Sequence, residues 1–376
     1  MAHETGTYTT RRRALQLIGA AGIAGVAGCQ GDGGDQSFYP HTIWGMFGSW
    51  EDAYVRSGRF YAQDHDFRFE NNNSRMGDSN QISHIQSFVQ EGADGIAVGP
   101  VSATAIVDAV ENAASEDIPV ISCNSDVQTS ELSLSIYIGN DRACEQLGEE
   151  VVSYLESETE PEGEIEGTVL DLQGDLATTN GRNREEGFRS AVDQHDGINV
   201  LEARADFSAD QAQEQTFTTL QGEDGDIDAI FAANGAMALG ASNALDRFDM
   251  GPGDMFMACM DGSPTVIDLF DQGWLNRGFA QPTQFYLPLA LYYLDQIRTE
   301  GEDALPEPGD EVTTDDLEIT GEKHLDVDLW AGQSWAPASV LERNGHPYLQ
   351  TNGNLLTPDN YDDPSNWGVL FGQPEV

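Results

Sequence analysis

Short apolar runs alternate with longer amphipathic stretches along the chain from residue 40 onward. The runs have the length of β-strands, and the stretches between them have the length of helices. This alternation is typical of parallel α/β layers. The apolar runs predict strands at 41–46, 67–71, 95–98, 119–123, 135–138, 167–172, 199–203, 229–232, 255–259 and 278–281.

The amphipathic stretches predict helices between these strands. A ladder of this kind forms a doubly wound sheet that binds ligands at the carboxyl ends of its strands. Ten strands are more than one such sheet usually holds, so the pattern favours two sheets with a cleft between them. The predicted helices are 78–91, 103–115, 143–156, 184–194, 209–221, 236–248, 264–272 and 287–298.

Two segments of different composition follow the last predicted helix. Residues 301–316 are acidic and contain Gly and Pro, which indicates an exposed loop. The last sixty residues are rich in aromatic side chains, which indicates packing against the body of the protein. These side chains are Trp330, Trp335, Tyr348, Tyr361 and Trp367.

The N-terminus has the features of an export signal. Arg11 and Arg12 precede an apolar stretch that is rich in small residues and too short to span a bilayer. The paired arginines resemble a twin-arginine signal. The sequence Val-Ala-Gly-Cys ending at Cys29 resembles a lipobox, in which the cysteine is lipidated and becomes the first mature residue. Residues 1–28 are therefore predicted to be a signal peptide, and 29–39 a flexible tether.

The composition is strongly acidic. The 376 residues include 65 Asp and Glu against 17 Lys and Arg, a net charge of −48. Such a polyanion repels nucleic acid, which is excluded as a partner. The acidic residues are scattered along the whole chain and resemble the surface of a haloarchaeal protein. At 1 M salt the screening length is about 3 Å, so repulsion between like charges on such a surface is weak.

No sequence motif points to catalysis or to a metal site. Cys123, Cys144 and Cys259 have unrelated spacings and are predicted to be buried small hydrophobic residues. The chain contains no CxxC, HExxH, GxSxG or phosphate-binding GxxxxGK[ST] sequence. We therefore expect neither an enzyme nor a cofactor.

Four segments carry a resemblance to a known family. They are QGDLATTNGRNREEGF at 173–188, FAANGAMALG at 231–240, MDGSP at 260–264, and 277–281. Each lies at a predicted strand end or helix start. Together they resemble the ribose-binding-protein-like sugar-binding proteins of ABC transporters, over most of residues 40–300. The resemblance implies two doubly wound parallel α/β lobes joined by a three-crossing hinge, the type I periplasmic binding protein fold.

The resemblance also implies roles for single residues. Arg182 matches an arginine that binds sugar hydroxyls, and Asn234 and Asp261 match an amide and a carboxylate at the ring edge. Gln281 matches a hinge glutamine, and Phe207 an aromatic ring that covers one sugar face. These types suit a sugar, because its edge carries hydroxyls that pair with planar or charged groups while its faces are apolar.

A structural explanation stays open for each of these residues. Arg182 fits a surface arginine near a helix N-terminus, and Asn234 fits a helix N-cap equally well. Asp261 before a glycine fits a turn. Phe207 fits a core position.

The N-terminal lobe departs from the family pattern. Ribose binders carry an Asp-Arg pair after the fourth strand, whereas this chain has Asn124 and Asp126 there. Asn124 can pair with hydroxyls, and Asp126 can substitute in part for the missing arginine. The aromatic pair after the first strand is also missing. Phe47, Trp50 or Tyr54 can supply the ring, and Trp50 is our choice.

These features define the expected organisation. Residues 40–139 and 282–318 are predicted to form the N-terminal lobe, and 140–281 the C-terminal lobe. Residues 319–376 are predicted to be a hinge return and a C-terminal extension packed on the lobes. The crossings between lobes are expected near 138–141, 281–283 and 318–325.

The expected function is that of an extracytoplasmic solute-binding lipoprotein that binds a monosaccharide or polyol by hinge closure. Its partners would be an ABC permease with its ATPase. We expect a monomer that is lipid-anchored at the outer face of the cytoplasmic membrane. A transcription regulator of the same fold would need a helix-turn-helix, which is missing. A nucleoside-binding lipoprotein, or a sugar sensor that presents its ligand to a membrane receptor, remains open.

Overall fold

The structure is a computed structural model that describes residues 36–159, 164–222, 226–324 and 327–372. The predicted signal peptide, the lipidation site Cys29 and the tether up to residue 35 lie outside the described residues. The predicted end of the tether at 39 is wrong, because Phe38 and Tyr39 are buried in the apolar cores beside the first sheet. The described residues form strands and helices that we number in chain order.

The strands are short in the first third of the chain and longer in the middle. They are β1 (His41–Ile43), β2 (Asn71–Asn73), β3 (Ile96–Val98), β4 (Val120–Cys123), β5 (Leu134–Ile138), β6 (Gly167–Gln173), β7 (Ile198–Arg204), β8 (Ala229–Ala232), β9 (Phe256–Met260), β10 (Arg277–Ala280), β11 (Glu311–Val312), β12 (Ala338–Arg343), β13 (His346–Thr351) and β14 (Asn354–Leu356).

Helices alternate with the strands from β1 to β10, except that β5 follows β4 directly. They are α1 (Ser49–Asp64), α2 (Asp78–Gln90), α3 (Val107–Ser115), α4 (Asn140–Glu158), α5 (Thr179–Val192), α6 (Ala209–Gln221), α7 (Gly235–Asp246), α8 (Pro264–Asp271), α9 (Tyr286–Glu300) and α10 (Trp367–Phe371).

The strands form two sheets. The first sheet has the order β11-β12-β13-β5-β4-β3-β1-β2, and the second has the order β14-β10-β9-β8-β6-β7. Strands β1 to β5 are parallel to their neighbours, and β13 adds to β5 in parallel. Strands β6 to β10 are also parallel. The antiparallel pairs among these strands are β11 with β12, β12 with β13, and β10 with β14. The predicted architecture of two mostly parallel α/β sheets is confirmed.

Each sheet is covered by helices, and each has its own apolar core. Buried side chains of α1, α2, α3 and α9 pack against the first sheet. Buried side chains of α4 to α8 pack against the second sheet. We call these two layered units the first lobe and the second lobe.

All ten predicted strands are present, and one of them is displaced. The second strand lies at Asn71–Asn73 rather than at 67–71. It is an edge strand that pairs only with β1, so its half-buried asparagines carry no apolar signal. The sequence pattern did not predict helices α1 and α10 or strands β11 to β14. Gly58 inside α1 weakened its helical signal, yet the structure needs a glycine there, because a Cβ atom would lie 2.7 Å from Leu287 Cδ1.

The chain passes between the two sheets three times. It leaves the first sheet after Ile138, returns after Ala280, and leaves again between Thr351 and Asn354. The third passage was expected near 318–325. That segment instead precedes β12 and β13, which stay in the first sheet because β13 pairs with β5.

Among the described residues, no helix combines the length and the apolar character that a membrane span requires. Cys123, Cys144 and Cys259 are all buried and unpaired, as expected for small hydrophobic residues.

Candidate functional site

The carboxyl ends of β9 and β10 bring two predicted residues together. Asp261 follows β9 and Gln281 follows β10, and the Gln281 side-chain amide donates a hydrogen bond to Asp261 Oδ1. The hydroxyl of Tyr286 donates to Gln281 Oε1 at 3.3 Å. Tyr286 begins α9, which belongs to the first lobe, so this chain of hydrogen bonds links the lobes at the second passage.

Arg184 of α5 is the cation of this group. Its side chain is 6% exposed, and its Nη2 atom lies 3.9 Å from Asp261 Oδ1. Its Nε donates to Asn140 Oδ1 at 2.8 Å and its Nη1 to the Ala233 carbonyl at 2.6 Å. These bonds hold the guanidinium plane between the strand ends.

The structure does not bring Arg182 to this group. Its side chain is exposed and donates to the carbonyls of Leu176 and Ala177 in the preceding loop. Helix α5 begins at Thr179 rather than at 184, so both arginines lie in the helix. Two residues are about 200° apart around a helix, which places Arg182 and Arg184 on opposite faces. Arg184 shares its buried face with Phe188 and was missed by our sequence analysis, although this i, i+4 spacing signals it.

Asn234 lies beside the group and also caps a helix. Its Oδ1 accepts a hydrogen bond from the Met237 amide at 2.9 Å, which satisfies the N-terminus of α7. The side-chain amide group has no such structural role in the described residues. The carbonyl of the preceding residue, Ala233, accepts a hydrogen bond from Arg184.

Phe207 lies close to the same arginine. Its ring centroid is 5.7 Å from the guanidinium carbon of Arg184. The ring also covers Gly174, because a Cβ atom there would lie 2.3 Å from the ring carbons. Phe207 therefore lies beside Arg184, and its role at a ligand site stays a prediction.

Three of the predicted residues have strained backbone conformations. The φ angles of Asn124, Phe207 and Asp261 are 65°, 62° and 81°. Each residue follows the carboxyl end of a parallel strand. A bulky residue such as phenylalanine rarely adopts a positive φ, and such strain concentrates at functional sites.

Trp50 belongs to an aromatic group in the first lobe. Its ring centroid lies 5.2 Å from that of Tyr54, 5.4 Å from that of Trp44 and 6.3 Å from that of Tyr286. The indole Nε1 of Trp50 is buried without a hydrogen-bond partner among the described residues. A buried donor of this kind costs free energy unless a ligand or water accepts its hydrogen bond.

Glu51 is a further polar residue at this aromatic group, and the sequence analysis did not select it. Its carboxylate accepts from the Trp44 indole at 3.4 Å and from the Gly48 amide at 3.0 Å. Burial raises the pKa of Glu51 above its usual range, and the hydrogen bonds partly oppose this shift.

Asp126 does not take part in the group formed by Arg184, Asp261 and Gln281. It is 3% exposed, and its carboxylate binds the Asn344 amide at 2.8 Å and His346 Nε2 at 3.0 Å. Both partners lie at the turn between β12 and β13, so Asp126 fastens that hairpin to the loop after β4. Asn124, two residues earlier, stays half-buried at the strand end.

A cavity of about 250 Å³ lies at the passages between the sheets. Its lining does not include Arg184, Asp261 or Gln281. Its walls include Ile138, Phe279 and Asn352, together with the polar face of α4. Within the described residues, no three His, Cys, Asp or Glu side chains are grouped so as to hold a metal ion.

Residues 48–303 match the family model of the periplasmic binding protein domain. The galactofuranose-binding protein YtfQ of Escherichia coli is 25% identical over 207 residues, which cover 52% of this chain and 62% of that protein. This match spans less than two thirds of that relative. The ribose import binding protein RbsB of Escherichia coli is 29% identical over 251 residues, which cover 66% of this chain and 74% of that protein.

Solved structures show the same fold. A galactofuranose binding protein superposes with a TM-score of 0.70 at 19% identity, covering 89% of this chain and 99% of that one. An ABC transporter solute binding protein from Bacillus halodurans with bound myo-inositol has a TM-score of 0.68 at 20% identity, with the same coverage. The predicted type I fold is thereby confirmed. Because the family model spans more than half of its residues, this chain belongs to the periplasmic binding proteins.

Proposed function

We propose that this protein is the solute-binding lipoprotein of an ABC importer and binds a monosaccharide or related polyol between its lobes. The observation that carries the proposal is the group of Arg184, Asp261 and Gln281 at the strand ends of the second lobe. Gln281 connects this group through Tyr286 to the aromatic side chains of the first lobe. A ligand between them would contact both lobes.

The group suits the edge and the faces of a sugar. Arg184 donates, the Asp261 carboxylate accepts, and the Gln281 and Asn234 side chains can do both, as ring hydroxyls require. Hydrogen bonds to charged groups contribute roughly 1.5–3 kcal/mol each. Phe207 on one side and Trp50 on the other offer apolar faces for the C–H surfaces of the ring.

The named relatives bind ligands of this class. They include proteins for galactofuranose and ribose, and a solved structure with bound myo-inositol. Furanoses, pentoses and inositols share several adjacent hydroxyls on a small ring. This shared chemistry supports a sugar or polyol for the present protein, with binding rather than catalysis as its role.

The proposed mechanism is hinge closure at the three passages. A ligand that contacts both lobes binds the closed arrangement more tightly than the open one, so it shifts the population toward closure. The closed form would then be recognised by the permease. Asn124 would complete the site from the first lobe, in place of the Asp-Arg pair of ribose binders.

A thermal-shift screen tests this function. We expect one of ribose, arabinose, allose, galactofuranose or myo-inositol to raise the melting temperature, because a ligand at about 100 times its Kd adds about 2.7 kcal/mol of stability. The screen should be run in molar KCl, which screens the net charge of −48. Nucleosides serve as the comparison set.

The outcomes separate the functional classes. A shift with a sugar or polyol supports the proposal and identifies the substrate. A shift with nucleosides alone would instead support a nucleoside-binding lipoprotein, for which Trp50 and Phe207 would stack on the base. If no compound shifts the transition, sugar binding at this site is contradicted.

Membrane attachment is proposed through a lipid on Cys29. We expect the wild-type chain expressed in a haloarchaeal host to sediment with membranes, and Cys29→Ser to appear in the medium, because stable anchoring needs the acyl chains. Cys123→Ser is the matched control, since that thiol is buried. Equal sedimentation of Cys29→Ser and wild type would contradict lipid anchoring at this residue.

A further inference from the structure

Residues 357–372 follow β14 and contact both lobes. The Tyr361 ring stacks on Phe270 of α8 with centroids 5.0 Å apart, and its hydroxyl donates to Asp271 Oδ1 at 2.7 Å. Both partners belong to the second lobe. The Ser365 carbonyl then accepts from the Gln284 amide at 3.3 Å, at the second passage. The chain thus returns toward the first lobe.

Helix α10 packs on both lobes, with its large apolar side chains in the first lobe and its backbone against α8 of the second lobe. Its apolar residues Trp367, Leu370 and Phe371 are buried in the first-lobe core, where Trp330 and Trp335 also lie. Arg56 of α1 lies over the Phe371 ring at 5.6 Å. Apolar burial of three large side chains anchors this helix to the first lobe.

Gly368 of α10 touches the turn that follows Asp261 in the second lobe. A Cβ atom on Gly368 would lie 2.0 Å from the Gly262 carbonyl oxygen and 2.8 Å from the Ser263 carbonyl carbon. Only a glycine allows this approach. Gly262 and Ser263 directly follow Asp261, whose carboxylate faces Arg184.

We propose that α10 is a latch that moves with the first lobe and seats against the turn after Asp261 when the lobes close. In the open arrangement, rotation at the passages would separate Gly368 from Gly262. Contact in one arrangement only shifts the population toward that arrangement. Gly368 is thereby a positioning residue for Asp261. This inference rests on the proposed hinge closure and on the ligand role of Asp261.

A reversible crosslink tests the latch. A Cβ atom on Gly372 would lie 3.6 Å from Pro264 Cβ, within the span of a disulfide, and 2.6 Å from the Gly368 carbonyl oxygen, so the end of α10 must shift slightly to admit the cysteine. We would introduce Pro264→Cys and Gly372→Cys together with Cys29→Ser, since the other three thiols are buried. Small-angle scattering of the ligand-free chain should give a smaller radius of gyration after oxidation than after reduction. An equal radius would overturn the latch, because α10 would then move with the second lobe.

A second variant probes the contact without a crosslink. Gly368→Ala should raise the radius of gyration of the ligand-free chain, because the new methyl group cannot fit against Gly262. Gly251→Ala is the matched control, since its only neighbour within 4 Å is Asp254 Oδ2 at 3.6 Å. No difference between these two variants would contradict the latch.

Failure of the latch and failure of the proposed function are distinguishable. The scattering measurements contain no ligand and report only on the arrangement of the lobes. Thermal shifts of the same samples with arabinose, allose and myo-inositol report on the site. For a sugar that shifts the wild type, the latch predicts an affinity loss of about tenfold or more in Gly368→Ala. Unchanged affinity would refute the positioning role of Gly368 while leaving sugar binding intact.

Discussion

Arg184→Gln is expected to weaken sugar binding by about a hundredfold or more, whereas Arg182→Gln leaves it unchanged. The first change removes the cation that faces Asp261 and the donors to Asn140 and Ala233. The loss of two hydrogen bonds from the guanidinium to ligand hydroxyls, at roughly 1.5–3 kcal/mol each, corresponds to this decrease in affinity. Isothermal titration with the sugar found in the screen measures it.

The paired arginine variants make this result specific. They remove the same charge two residues apart in α5, so a general effect of charge or helix stability would appear in both. Arg184→Lys keeps the charge but cannot form the same planar set of bonds, and it should recover only part of the affinity. If Arg182→Gln lost affinity and Arg184→Gln kept it, the arginine implied by the family resemblance would be correct and our assignment wrong. Thermal unfolding of each variant reports whether the fold is retained.

Asp171→Asn is expected to stabilise the protein at neutral pH by roughly 1–3 kcal/mol, the usual cost of a buried polar group without full hydrogen bonding. Asp171 lies within β6 and is fully buried, and its Oδ1 has no hydrogen-bond partner among the described residues. Gln173 donates weakly to its Oδ2 at 3.4 Å. Burial, and then the neighbouring Glu185, raise the pKa of Asp171 well above its usual value, while Arg189 opposes the shift.

The raised pKa of Asp171 decides how its contribution to stability changes with pH. A carboxyl whose pKa is higher in the folded state than in the unfolded chain, where it is about 3.9, binds its proton more tightly when folded. Its favourable contribution is present below the unfolded pKa and is lost as pH rises through the folded pKa. The melting temperatures of Asp171→Asn and wild type should therefore agree near pH 4 and diverge as pH rises, with the variant higher.

The control for this prediction is Glu202→Gln. Glu202 pairs with Asp171 in the register of β6 and β7 but is exposed, where it binds Arg189 at 2.9 Å. Its replacement should shift the melting temperature little, since exposed ion pairs contribute about 0–1 kcal/mol. Parallel melting curves of Asp171→Asn and wild type from pH 4 to 8, at constant salt, would show that Asp171 is not held protonated.

The strands could be read from the sequence where burial gave them an apolar signal. Strands β1, β3 to β6 and β8 to β10 lie inside the sheets and are covered by helices, so most of their residues are buried and give an apolar signal. Strand β7 lies at the edge of the second sheet, and several of its residues are exposed. Strand β2 is three asparagines at an edge, and β11 is two residues long. Such strands are formed by hydrogen bonding to a neighbour that the local sequence does not specify.

The residues proposed to bind the ligand also divide into those that the sequence reveals and those that it does not. Asp261, Gln281, Asn234 and Phe207 follow strand ends, and strand ends are visible in the sequence. Arg184 depends on the rotation of α5, and that rotation depends on the helix beginning at Thr179 with Thr178 as its N-cap. The prediction began the helix at 184, so it could not tell the buried arginine from the exposed one.

The sequence by itself determined the layered α/β fold with two sheets, the acidic character of the protein, and the strand ends at which the proposed binding residues lie. These properties follow from local periodicity and composition. The tertiary structure decided that Asp126 fastens the β12–β13 hairpin, that Arg184 rather than Arg182 faces Asp261, and that α10 bridges the lobes. Each of these is a contact between residues far apart in the chain, and such contacts leave no periodic signal in either partner.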